Sequence, residues 1–238
     1  LDGKSRQHLY TNTFDPYPRA PHIYLGMPTR FFPGRRAITK ADAKRLGTPE
    51  DWRYANDCAD IVLVSARGGT ELRRTFMEAF IRPGLDLKNW TSRANYAARG
   101  YLRTGPREIS IYVKHNAGYP SIHIRRYTLR PDGFVSVRAS YAGGTLTTKP
   151  LRFAGSRLEI NLSTSAAGSA RVEILDAKGQ PIPGFGLKDS REIIGDQIDR
   201  IVEWRGGGGV SRLAGRAVRL RFHLVDADLY SLRFVDAD

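Results

Sequence analysis

From about residue 134 onward the chain alternates. The segments "LEINL", "ARVEIL" and "VRLRFHL" set apolar side chains at every second position, with polar or charged ones between. A period of two marks an extended strand with one buried face, because successive side chains leave opposite sides of the pleat. Turn chemistry interrupts the pattern about every ten residues, at "YAGG", "DAKGQPIPG" and "RGGGG". Asp176 and Gly179 mark a hairpin turn, and "DADLYSLRF" reads as a last strand. Roughly eight short strands in ~100 residues predict a β-sandwich of jelly-roll type. "RGGGGVSRLAG" reads as a flexible turn followed by a short 3₁₀ element. It lacks the lysine and the strand-then-helix setting of a phosphate-binding loop.

The first half is β-rich but less regular. Candidate strands are His22–Leu25, Ile61–Ser65, Thr75–Phe80 and Glu108–Lys114. "SARGG", the region Asn116–Pro120 and "RPDG" supply turns between them. Successive antiparallel hairpins of this size suggest propeller blades. About two blades fit before residue 130, whereas propellers close with four or more. The expectation is therefore all-β: the C-terminal blades of a β-propeller over 1–130, then a β-sandwich over 131–238, within a longer protein whose other blades lie upstream. Between the first two strands lies the long polar insert "FFPGRRAITKADAKRLGTPEDWRYANDCA", a lid or rim candidate. Within it, "TKADAKRLGT" predicts one or two helical turns closed by Gly47.

The formal charge of +14 raises the question of nucleic acid. The basic residues, however, occur singly or in pairs and alternate with apolar ones, as on the outer face of a strand. No recognition helix or zinc knuckle accompanies them, so an acidic glycan or another anionic substrate is the better use for the charge. No apolar run approaches the ~18 residues of a membrane span, and no signal peptide is visible, so the sequence assigns no compartment. With Cys58 alone, no internal disulfide can form. The five histidines show no ligand spacing, so neither a metal nor another cofactor is called for, and His123 between Ile122 and Ile124 reads as an outward strand residue. No G-x-S-x-G elbow supports a Ser-His-Asp triad.

Five segments together carry a resemblance: "YTNTFDPYPRAPHIYLGMPTRF", "RTFMEAFIRPGLDLKNWTSRANY", "RRYTLRPDGFVSV", "YAGGTLTTKPL" and "TSAAGSARVEILDAKGQPIPGF". They resemble bacterial glycosyl-hydrolase-like proteins related to the family 32/43 five-bladed β-propellers with a C-terminal β-sandwich. The resemblance implies a carbohydrate-active protein that hydrolyses or binds glycans, with non-catalytic glycan binding or a structural role as the alternative. It also implies Arg19, His22 and Arg30, in "RAPHIYLGMPTRF", as substrate-site residues. "SARGGT" resembles a degenerate Asp-box, and the absence of an acid from that turn weakens a sialidase assignment.

Glycoside hydrolysis uses two carboxylates flanking the scissile bond. Asp60, before the apolar run "IVLV", is either such an acid or a turn cap. Glu78 shares a strand face with Phe76 and Phe80 if the alternation holds, which would desolvate it as a general acid requires. The alternative for Glu78 is a surface pair with Arg74 or Arg82. Trp90 and Tyr96 are candidates for a sugar-stacking platform, with Asn89 and Asn95 as hydroxyl partners, and Tyr10 and Asn12 are candidates for the same site. Trp90 reads equally as core packing. His22 and Arg30 stand about eight residues apart, roughly 25 Å if extended. They share a pocket only if the chain turns at Gly26–Pro28.

Overall fold

The computed structural model describes residues 7–48, 56–91, 94–207 and 209–237. The protein is all-β, with antiparallel sheets, and it divides into two compact units, Leu1–Leu129 and Arg130–Asp238. The first unit contains β1 (His8–Tyr10), β2 (Phe14–Tyr17), β3 (Ala20–Gly26), β4 (Thr29–Phe32), helix α1 (Lys40–Leu46), β5 (Cys58–Ile61), β6 (Val64–Ala66), a 3₁₀ turn (Leu87–Trp90), β7 (Tyr96–Ala97), β8 (Leu102–Gly105), β9 (Glu108–His115) and β10 (His123–Leu129).

β1, β4 and β5 form one sheet, and β2, β3 and β6 another. Their registers show that the second and third strands run on from one sheet to the other. Gly26 faces Val64 and Thr29 faces Ile61, so residues 24–32 lie antiparallel to 58–66 without a slip. The interruption is at Pro28, which has no N–H to give to a ladder. Its carbonyl still accepts from the Val62 N–H at 3.1 Å. On the other side, β1 and β2 differ in register by one residue, and Thr11 at φ 51° absorbs the step as a bulge. Gly26 is required where it stands, since a Cβ there would lie 2.8 Å from the Phe14 ring.

The expected strand Thr75–Phe80 does not form. Residues 73–81 pair with the third strand through the isolated bridges Ser65–Arg73 and Ile61–Ile81, with the Phe80 N–H also donating to the Ile61 carbonyl at 2.8 Å. The Met77 carbonyl between them accepts from the Arg30 Nη1–H and the Arg74 Nη2–H, each at 2.8 Å. A carbonyl held by two guanidinium groups is withdrawn from the ladder, and alternation alone does not reveal that. The expected Ile61–Ser65 is likewise split between β5 and β6.

β10, β9 and β7 form a further antiparallel sheet, with β8 pairing the near end of β9. The expected short helix is α1. Thr39 and Asp42 cap each other's backbone N–H groups, and Gly47 closes the helix at φ 68°. The two bonds from Thr39 and one from Arg45 hold the Asp42 carboxyl down to about 2. Residues 49–55 of the lid candidate lie outside the described residues.

The second unit is one five-stranded sheet: β11 (Val137–Ala139), β12 (Gly144–Thr147), β13 (Arg157–Asp176), β14 (Asp196–Ile201) and β15 (Val218–Val235). The expectation of about eight short strands is corrected here. "LEINL" and "ARVEIL" belong to a single strand of 20 residues, and "VRLRFHL" and "DADLYSLRF" to one of 18. Bulges join the segments. The register of β13 on β15 shifts between Thr164 and Ser169. There a Cβ on Gly168 would sit 2.4 Å from the Asp226 carbonyl, so only glycine fits. Alternation by itself places Leu158, Ile160 and Leu162 on the same face as Ala170, Val172 and Ile174. The bulge shifts the phase of β15 at Asp226, so that Ala227 and Leu229 face the same buried cluster as Leu220, Phe222 and Leu224. A straight strand of that length would span roughly 65 Å, far beyond a compact unit of about 110 residues. The strand must therefore curve across its own core. "RGGGGVSRLAG" holds the expected 3₁₀ turn at Ser211–Leu213.

Candidate functional site

Two polar clusters occur in the first unit. The first is built on cross-strand opposition. β4 and β5 place Arg30 directly opposite Asp60. Their side chains meet in a two-pronged ion pair, Nε to Oδ1 at 2.8 Å and Nη2 to Oδ2 at 2.6 Å. The two side chains are only 12% and 17% exposed, so this pair is shielded from water. Arg30 also packs over the Phe32 ring. Arg74 joins through the shared Met77 carbonyl and donates to Gln7 Oε1 at 2.6 Å. Burial and the neighbouring Arg30 lower the Arg74 guanidinium from its ordinary value, against the pull of Asp60 and Glu78.

The sequence names Arg30 and Asp60 separately, and the fold brings them together. It does not gather the others there. Glu78 is exposed rather than desolvated between two phenylalanines, because 75–80 is not a strand and the expected alternation never arises. Tyr10 is opposite Thr29 and lies edge-on to Phe31 at 5.4 Å, on the other sheet face from Arg30. Asn12 is exposed just past β1. Arg19 is in the β2–β3 turn and His22 is exposed on β3. Because residues 24–32 hold one register, the chain does not reverse at Gly26–Pro28, and Arg30 stands away from Arg19 and His22.

The platform candidates separate as well. Trp90 spends its indole N–H on the Gly84 carbonyl at 2.7 Å. Tyr96 carries the Lys114 ammonium over its ring at 4.4 Å. Asn95 is fully buried and bridges elements: its amide donates to the Ala59 and Asn89 carbonyls, and its backbone carbonyl accepts from the Thr29 hydroxyl.

The second cluster is invisible to motif reasoning because its members have no motif spacing. The β9–β10 hairpin places His115 opposite His123. His115 is fully buried. Its ring lies nearly parallel to His123, at 5.6 Å and 18°, and to Tyr127, at 5.8 Å and 16°. Asn89 Nδ2 meets His115 Nδ1 at 2.7 Å, and the Tyr127 hydroxyl meets Nε2 at 2.9 Å. Burial first, then Arg125 and His123, lowers the imidazole below the usual histidine range, while Asp86 pulls the other way. Around this stack, Asn116 Nδ2 donates to Asp86 Oδ2 at 3.0 Å, and Lys88 Nζ donates to Ser121 Oγ at 3.1 Å. Burial opposes ionisation of Asp86, but bonds from the Lys88 N–H and the Asn116 amide outweigh it and leave its carboxyl lowered. The legible signal was the Asn116–Pro120 turn, which sets the register that faces the two histidines.

The described residues contain no grouping of three or more histidine, cysteine or acidic side chains suited to a metal. None of their helices is long and apolar enough to cross a membrane. Two grooves of about 220 and 250 Å³ lie in the second unit, and none of the sequence-predicted site residues lines them. Trp204, in the first groove, is buried core and gives its indole N–H to the Val172 carbonyl. No family model matches the chain, and no match is found among curated proteins or solved structures. The resemblance to glycosyl-hydrolase-like proteins rests on the quoted segments alone.

Proposed function

We propose that this chain is a glycan-binding part of a carbohydrate-active protein, with the saccharide lying against His123 and Tyr127 at the ring stack of the β9–β10 hairpin. The observation that carries the reading is the stack itself. Two accessible rings are oriented by a buried third, the Ser121 hydroxyl and Lys88 ammonium are bonded to each other beside them, and Arg125 lies between the two rings along the strand on the same face. A sugar ring offers an apolar C–H face and directed hydroxyls, and such a surface matches both.

Binding is favoured over hydrolysis because the carboxylates are badly placed for catalysis. Asp60 is committed to Arg30 through both oxygens, and Glu78 stands in solvent.

We read the first unit as propeller blades. Its continuous antiparallel runs, 8–17 with 20–32 with 58–66, then 96–105 with 108–115 with 123–129, support that reading, since a blade is such a meander. The curved five-stranded sheet of the second unit supports a sandwich, because both halves of its longest strands serve one core.

The test is an NMR titration of the chain with neutral and acidic oligosaccharides, following the His123 and Tyr127 ring signals. Shifts confined to this hairpin, weakened about tenfold or more by His123→Ala, support the reading. Shifts elsewhere only, or none at millimolar saccharide, overturn it.

A further inference from the structure

The hydrogen bonds around His115 fix where its proton resides, and so the polarity of the surface above it. The Asn89 amide is oriented by two backbone groups. Its Oδ1 accepts from the Asn116 N–H at 2.8 Å, and its Nδ2 donates to the Pro83 carbonyl at 3.1 Å. The second hydrogen on Nδ2 therefore points at His115 Nδ1. That nitrogen must be a bare acceptor, because a proton there would collide with the amide hydrogen. The imidazole is neutral with its proton on Nε2, and Nε2–H donates to the Tyr127 oxygen. The Tyr127 hydroxyl hydrogen is then turned away from the imidazole and toward the outside.

The neighbouring groups have the same polarity. Ser121 Oγ already accepts from Lys88 Nζ at 3.1 Å and from Asn116 Nδ2 at 3.3 Å, so its own hydrogen is free to point outward. Asp86 is the acid of the cluster, but one oxygen accepts from the Lys88 N–H and the other from Asn116. Arg125 lies between His123 and Tyr127 in the strand and shares their sheet face. His123 commits Nδ1–H to the Ser121 carbonyl at 3.0 Å, which leaves Nε2 of the neutral ring as an acceptor.

We propose that the hairpin and the 3₁₀ turn bonded to it present hydrogen-bond donors, Tyr127 and Ser121 hydroxyls with Lys88 and Arg125, and select saccharides that carry an anionic substituent, a carboxylate or a sulfate. This rests on the glycan reading above and narrows it to a substrate class. A neutral hydroxyl can donate or accept and gains only part of what such a surface offers. An anion accepts from every group. Tyr127 is the selecting residue, and His115 is a positioning residue that acts through it.

The test has two parts. Long-range ¹H–¹⁵N spectra of the free chain should show His115 with a bare Nδ1 and a protonated Nε2. A proton on Nδ1 overturns the donor assignment whatever the chain binds. Titration then compares trigalacturonate, its methyl ester and a sulfated galactan tetrasaccharide. The acid should bind about tenfold or more tightly than the ester, the worth of one charged hydrogen bond. Tyr127→Phe, which keeps the ring, should remove most of that difference. Preference for the sulfated probe alone would identify sulfate as the recognised group. Equal binding of acid and ester, or an undiminished preference in Tyr127→Phe, overturns the selectivity and leaves glycan binding standing. Absence of binding by every probe overturns the glycan reading itself.

Discussion

Both units bury apolar side chains, but they differ in what else ties their elements together. The second has a single apolar cluster that includes Leu158, Ile160, Val172, Ile174, Leu220 and Phe222, and its register bulges keep that face inward. The first joins its sheets through buried polar side chains. Asn95 ties β5 to the 3₁₀ turn, Asn89 ties that turn to β9, and Arg30 holds a loop carbonyl while paired with Asp60. An apolar core tolerates small shifts because dispersion is non-directional. A buried amide does not, since each unmet donor or acceptor costs the desolvation of that group. The polar unit is thus the one in which local geometry is specified residue by residue, and it contains the donor surface.

The largest effect should come from emptying the apolar cluster. Phe222→Ala removes a fully buried ring from the first half of β15 and should cost about 3–5 kcal/mol. Urea unfolding with residue-resolved hydrogen exchange measures it, and the loss should be greatest in β13 and β15. Equal loss in β9 would show that the contrast between the units is false. Next is Asn95→Leu, close in volume but unable to donate. It leaves the Ala59 and Asn89 carbonyls unmet, at about 1–3 kcal/mol. If Asn95→Leu instead stabilises the first unit, the polar network is not what holds it.

The same contrast explains what the sequence revealed. Alternation exposed β3, β9 and the buried faces of β13 and β15, because a half-buried strand needs nothing beyond its own period. It did not reveal that four of the predicted strands are two, since Gly168 and Asp226 form bulges only when β13 meets β15. It predicted a strand at Thr75–Phe80, where two arginines, one of them distant in sequence, capture Met77. Arg30 and Asp60 were legible as chemistry but not as partners, because thirty residues separate them and only the register unites them. His115 has no ligand spacing to mark it, and its state is set by Asn89, 26 positions away.

A smaller effect probes the ion pair. Asp60→Asn leaves a charged Arg30, mostly buried, with weaker acceptors, and should cost about 2 kcal/mol, below the 3–5 typical of deeply buried pairs. The 73–81 segment should loosen first, because Met77 is held by the same guanidinium. Protection of the Ile81 amide is the readout.

The smallest change in structure asks the sharpest question about the polar unit. Asn89→Asp replaces an amide that donates to His115 Nδ1 with a carboxylate that accepts from it. In the native protein the imidazole is held below its ordinary value by burial, Arg125 and His123, so its neutral form is favoured in the fold. That group costs stability only as pH falls below the unfolded histidine value, where the unfolded chain takes up a proton that the folded one resists. With a carboxylate in place of the Asn89 amide the sign reverses. The protonated ring gains a partner, its titration moves above the ordinary histidine value, and its contribution is present at low pH and fades as pH rises through the new value. The His115 Cε1 proton signal followed from pH 4 to 9 measures the shift. An unchanged midpoint would mean that Asn89 does not govern the imidazole, and the donor polarity of Tyr127 would lose its foundation.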